Sequence, residues 1–349
     1  MTLALNIIQI GFAGFIMLAA SGAVHAQDSD LDLDMIMVPA PASDAPSETE
    51  NPLDKEFAIA LIAFKKGDFV AARESWSELS DAGHGLSAHN LAVLTWRGQG
   101  GPRDQDAAMT LFRQAGDADV GPSLHALGVI SLRGNEGSSE PAEAVRYFEA
   151  ASAIGHAPST YNLALAHLTK IGGADDPTLG MELLEAAAES DLMQAQYDLA
   201  TLLFQGTYGD VDHEAARGWF TRAARNGDPF AHYNLALMQL AGEGGAIDVH
   251  NAYINLNLAA EMGAIPAQVR LAHMLAIGEN GLAPDLETAF MWYWIAGDFG
   301  IADAYKTAKQ LAKRMTPEAI ERAKRTAGGF RPLGSQRRTT NDTATQLSQ

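Results

Sequence analysis

One leucine returns every 36 residues. Leu91, Leu127, Leu163, Leu199, Leu235 and Leu271 keep that step without a slip. A fixed period of this length implies a row of equal supersecondary units, each too small to bury its own apolar face. Other columns hold the same register. Four residues before the Leu stand Ser87, Ser123, Ser159, Ala195, Ala231 and Ala267. Directly after it stand Ala92, Gly128, Ala164, Ala200, Ala236 and Ala272. Seven after it stand Gly98, Gly134, Lys170, Gly206, Gly242 and Gly278.

The second half of each copy is as regular. A large column runs Phe112, Phe148, Leu184, Phe220, Leu256 and Tyr293, and a small one runs Ala115, Ala151, Ala187, Ala223, Ala259 and Ala296. The last members slip by one because the stretch 278–285 carries an extra residue. Apolar positions within a copy fall at helical spacing, and a Gly-containing turn such as "AGEGGAIDVH" separates two runs. Each copy therefore reads as helix–turn–helix. The Ala and Ser columns let helices approach closely, and the Phe/Leu/Tyr column fills the space between successive pairs. The copies close near Asp119, Gly155, Asp191, Gly227, Gly263 and Gly300, and Gly there permits the left-handed cap that ends the second helix.

Composition removes whole classes of function. The net charge is −19, which repels phosphate backbones and anionic headgroups and argues against nucleic-acid binding. The chain has no cysteine, so disulfides, thiolate catalysis and Cys-ligated zinc are excluded. The histidines show no H-x-x-x-H or H-E-x-x-H spacing, so no metal is expected. The Gly-rich turns "GQGG" and "GEGG" lack the Gly-Lys-Ser/Thr of a phosphate loop. Neither Gly-x-Ser-x-Gly nor Ser-x-x-Lys occurs. The reading is a non-enzyme without cofactor, and the five Trp are assigned to packing.

The ends differ from the middle. Residues 1–26 are apolar and close on the small residues of Val24-His25-Ala26, which reads as a signal peptide cleaved near Ala26. The absence of Lys and Arg from that stretch leaves an N-terminal membrane anchor as the alternative. Residues 27–52 are acidic and rich in Pro, Ala and Ser and read as a flexible linker. Its alternating Asp28, Asp30, Asp32 and Asp34 lack the Gly and bidentate Glu of a calcium loop. Residues 53–83 read as an N-terminal capping half-repeat, 84–301 as six repeats, 302–327 as C-terminal capping helices and 328–349 as a disordered tail.

Copies such as "AQYDLATLLFQGTYGDVDHEAARGWFTRAARNGD" at 195–228 resemble Sel1-like repeats, relatives of the tetratricopeptide repeats. The resemblance covers about residues 54–327. It implies an all-α, right-handed α-solenoid and an adaptor role in exported assemblies or envelope signalling. The chain departs from the family at the Tyr four after the Leu, here Thr95, Ser131, His167, Leu203, Gln239 and Leu275, and at the Gly replaced by Lys170.

The resemblance also implies that the first helix of each pair lines a concave groove. The two positions before the Leu then face a partner: His89 and Asn90, His125, Tyr161 and Asn162, Tyr197 and Asp198, Tyr233 and Asn234, and Arg270. Asn can both donate to and accept from an extended peptide, and Tyr adds rigid area with a polar tip. The competing reading makes these residues wedges between neighbouring helices. His89 and His125 share one column and invite a pH response. The expected function is an exported, periplasmic scaffold, monomeric, that binds a protein or peptide partner. The alternatives are a regulator of a membrane sensor or envelope complex and, behind it, a cell-wall-binding or hydrolytic protein.

Overall fold

The computed structural model describes Met37, residues 52–134 and residues 139–333. The proposed signal peptide, most of the linker and the tail beyond Leu333 lie outside the described residues. Sixteen α-helices and one short 3-10 turn, with no strand, make up the described chain. It divides into two compact units at Ser190 and Asp191.

The first unit opens with a helix pair, α1 (Pro52–Lys65) and α2 (Phe69–Asp81). Three repeats follow: α3 (Gly85–Arg97) with α4 (Gln105–Asp117), α5 (Gly121–Arg133) with α6 (Pro141–Ala153), and α7 (Ala157–Thr169) with α8 (Pro177–Glu189). The second unit holds α9 (Met193–Gln205) with α10 (His213–Arg225), α11 (Pro229–Ala241) with α12 (Val249–Glu261), and α13 (Ile265–Ile277) with α14 (Leu286–Asp298). It closes with α15 (Ala302–Ala312) and α16 (Pro317–Gly328), both packed on α14. In each unit the helices up to α14 pack on the ones before and after them in sequence, which is solenoid packing.

Local chemistry explains the helix boundaries. Asp104, Asp176, Asp212, Asp248 and Asp285 cap the second helices of five repeats, each accepting a hydrogen bond from a backbone N–H two or three residues on. Such a cap contributes about 1 kcal/mol. In the second repeat the position holds Glu140, which makes no such bond. The N–H of the capping residue also reaches back to a first-helix carbonyl: Asp104 to Thr95, Glu140 to Ser131, Asp212 to Leu203, Asp248 to Gln239 and Asp285 to Leu275. Those acceptors are the positions where the chain lacks the family Tyr. The turn is tied through main-chain oxygens there, so the side chain can vary without loosening it.

The sequence columns are the core. The six Leu, the large second-helix column and the Ala column are all buried. Gly128 shows how tightly these fit: a Cβ there would stand 2.5 Å from Phe148 Cε1. The ring of Phe148 has moved into the space that Ala occupies in the other copies. The extra residue at 278–285 is absorbed by the 3-10 turn Glu279–Gly281, which leaves α14 in register with its neighbours. At the C-terminus, Phe330 packs edge-on against Trp292 with ring centroids 5.5 Å apart, and the Leu333 N–H donates to Glu261 O at 2.8 Å. The first residues of the expected tail are thus packed onto the second unit.

Among the first-helix caps in the left-handed region, one is not glycine. Gly98, Gly206, Gly242 and Gly278 end their helices in the left-handed region, and Lys170 does the same with φ +59°. A side chain in that region costs about 1 kcal/mol. The exposed Lys170–Asp175 ion pair at 2.8 Å returns little of it. Lys170→Gly is therefore expected to raise the urea midpoint of unfolding, by about 1 kcal/mol of stability. A lowered midpoint would show that the Lys side chain holds the turn.

Candidate functional site

The two positions before the repeated Leu are consecutive in each first helix, about 100° apart around its axis. The structure puts their rings to a common use. His89 sits 5.6 Å from the Phe112 ring, His125 5.8 Å from Phe148, and Tyr197 5.6 Å from Phe220. Each ring therefore leans on the large residue of its own repeat. Two of them also tie their repeat to the next. His89 Nδ1 is 2.7 Å from Ser123 Oγ, and His125 Nδ1 is 2.9 Å from Ser159 Oγ. The Ser column does more than allow close approach: it supplies the partner for the preceding repeat's imidazole. His84 plays a similar part, bridging Ser87 Oγ at 2.7 Å and Asp54 Oδ1 at 3.1 Å, which ties α1 to α3.

In the second unit the same column forms a polar and aromatic cluster. Asn234 Nδ2 donates to the Tyr197 hydroxyl at 3.1 Å. Asp198 accepts from Gln194 Nε2 at 3.2 Å. Arg270 grips Glu279 with two hydrogen bonds of 2.7 Å each. Glu279 belongs to the 3-10 turn made by the extra residue, and the Arg270 pairing holds its carboxyl below the usual range. Burial pushes Tyr197 and Tyr233 up to about 12, so both stay neutral phenols. Burial likewise raises Tyr293, with Arg270 acting against it.

The ten candidate residues divide by accessibility. His89, Asn90, Asp198 and Tyr233 are buried. His125, Tyr161, Asn162, Tyr197, Asn234 and Arg270 are half-buried and keep an open edge. Contacts that the repeat pattern alone did not reveal are those of Glu279, His156 and the Ser column. Glu279 stands in the one copy that breaks the period, and only the fold brings it to Arg270. A separate open recess of about 420 Å³ is lined by Trp292, Ile295, Arg325, Phe330 and Leu333, residues of α14, α16 and the segment after it.

The Sel1 repeat model matches residues 85–120, 121–156, 157–192, 194–228, 229–263 and 265–297, more than half of the chain. The chain belongs to the Sel1 repeat family. Its members mediate protein–protein interaction and are typically non-catalytic. Among solved structures it is similar to a protective antigen with an SLR fold from uropathogenic Escherichia coli, at 22% identity and a TM-score of 0.68. That similarity covers 81% of this chain but spans only 61% of the antigen's length. A Sel1 repeat protein from Oxalobacter formigenes is similar at 20% identity and a TM-score of 0.59, over 69% of this chain and 96% of that one. Both likenesses show the fold. No curated protein matches the chain.

Two Sel1 repeat wedge residues make distinct predictions. Burial, followed by the nearby charge of His156, pushes His125 down to about 4. Burial lowers His156 as well. An unfolded His takes its proton near about pH 6.5, so the stability that neutral His125 contributes is full above that value and is lost as pH falls toward about 4. The wild type is expected to lose about 2 kcal/mol more than His125→Gln between about pH 7 and pH 4.5. Parallel losses in urea titrations at the two pH values would overturn this. The Tyr233 hydroxyl is buried and has no hydrogen-bond partner among the described residues. Tyr233→Phe should leave the thermal midpoint unchanged or raise stability by up to about 1 kcal/mol. A clear fall would reveal a partner for that oxygen.

Proposed function

We propose that this chain is an exported, periplasmic scaffold, non-catalytic, that binds a protein or peptide partner along the open edge of its first helices. The observation that carries the reading is the pre-arrangement of that edge in the second unit. Tyr197 and Asn234 are fixed by their mutual hydrogen bond, and Arg270 is fixed by Glu279. Side chains already held in place lose little further freedom when a partner docks. Tyr and Arg at such edges offer large contact area with polar tips, the residue types that dominate binding energy at interfaces. The edge offers donors and acceptors for main chain. That chemistry fits recognition of an extended peptide better than turnover. Export rests on the apolar N-terminal stretch and its small residues before Gln27.

The test begins with affinity purification from the envelope fraction and mass spectrometry to name the captured protein. Asn162→Ala with Asn234→Ala is then expected to lower recovery of that same protein at least about tenfold, which corresponds to about 1.4 kcal/mol. Circular dichroism should remain unchanged. Undiminished recovery with intact helicity would remove the edge as the binding surface.

A further inference from the structure

The first repeat differs from the others in how it is covered. Ten consecutive residues of α3, Ser87 to Trp96, are buried. With 3.6 residues per turn, such a run leaves no side of the helix open. The other first helices keep an open stripe. The clearest marker is the position two after the repeated Leu. Val93 is 0% exposed, whereas Val129, Leu165, Thr201 and Leu237 are half-buried and the side chain of His273 is 53% exposed. Val93 lies one turn beyond His89, so the closed stripe is the one on which the sequence places a partner.

The described part of the N-terminal segment sits at this place. Met37 is half-buried and packs against two core clusters at once. One holds Val93 and Trp96; the other holds Leu91 and Leu94. Residue 37 is fifteen positions before Pro52, and an extended chain of that length reaches about 50 Å, ample to return across α3. The charges agree. Asp28, Asp30, Asp32 and Asp34 precede Met37, while the exposed Arg97 follows Val93 by one turn and Arg103 is exposed in the next loop. A flexible thioether suits an irregular apolar contact of this kind.

The geometry points to the chain's own segment around Met37 as the occupant of the first repeat's open stripe. It is an intramolecular ligand whose chemistry is a Met-anchored apolar stretch preceded by acidic residues. Resting on the scaffold reading above, this makes the segment a competitor of any partner that docks at His89, Asn90 and Val93. A partner for that repeat would carry the same pattern of acidic residues followed by an apolar anchor.

The absence of cysteine makes the test direct. In the full chain, a single Val93→Cys is expected to react with a small maleimide slowly, and adding Met37→Asp should speed the reaction about tenfold, with helicity unchanged. A Met37→Cys chain should react about fivefold more slowly than Thr110→Cys, a control on the exposed side of α4. Equal rates for Val93→Cys with and without Met37→Asp, or full reactivity of Met37→Cys, would overturn the assignment. Neither rate depends on an external partner. If Met37→Asp exposes residue 93 but leaves recovery of the captured protein unchanged, the intramolecular contact stands and the scaffold reading of this repeat fails.

Discussion

Each repeat is two helices of thirteen residues, and such a pair has too little interior to hide its apolar stripe. Burial against the next pair is the interaction on which the rest depends. It explains the invariant Leu column, the Phe/Leu/Tyr column beside it and the buried Ala positions. A fully buried Leu or Phe contributes about 1.5–3 kcal/mol. The last pair of the second unit has no repeat beyond it among the described residues. On the C-terminal side, α16 meets that condition with a charged surface, where Arg322 makes hydrogen bonds of 2.9 and 2.6 Å to Glu287.

The column proposed for recognition is bound up with the same packing. His89, His125 and Tyr197 lean on the large residue of their own repeat, and the two histidines join successive repeats through the Ser column. The inner edge fixes each ring by wedging it, while the half-buried His125 and Tyr197 keep an outer edge open. This arrangement also sets the protonation states. Burial keeps His125 neutral well below physiological pH.

Much of the fold was legible in the sequence because a period is a one-dimensional property. The step of 36, the Gly-containing turns and the helical spacing place a helix–turn–helix in each copy. The candidate column was readable from spacing, but the accessibility of its members was not. His89 and His125 stand at equivalent positions, yet one is closed and the other half-open, because accessibility depends on what lies above the helix. Glu279 was hidden for a related reason: its meaning comes from the one irregular turn, where an added residue swings a carboxylate to Arg270.

The sequence by itself determined the repeating all-α architecture, the family and the set of residues that line each first helix, since each follows from spacing along the chain. Only the tertiary structure decided which of those residues keep an open edge, which hydrogen bonds link one repeat to the next, and that Met37 rests against the first repeat. Those outcomes depend on contacts between residues more than thirty positions apart, and on a segment whose composition taken alone gives no reason for it to settle anywhere. Distance in space, which the linear order leaves free, is what fixes them.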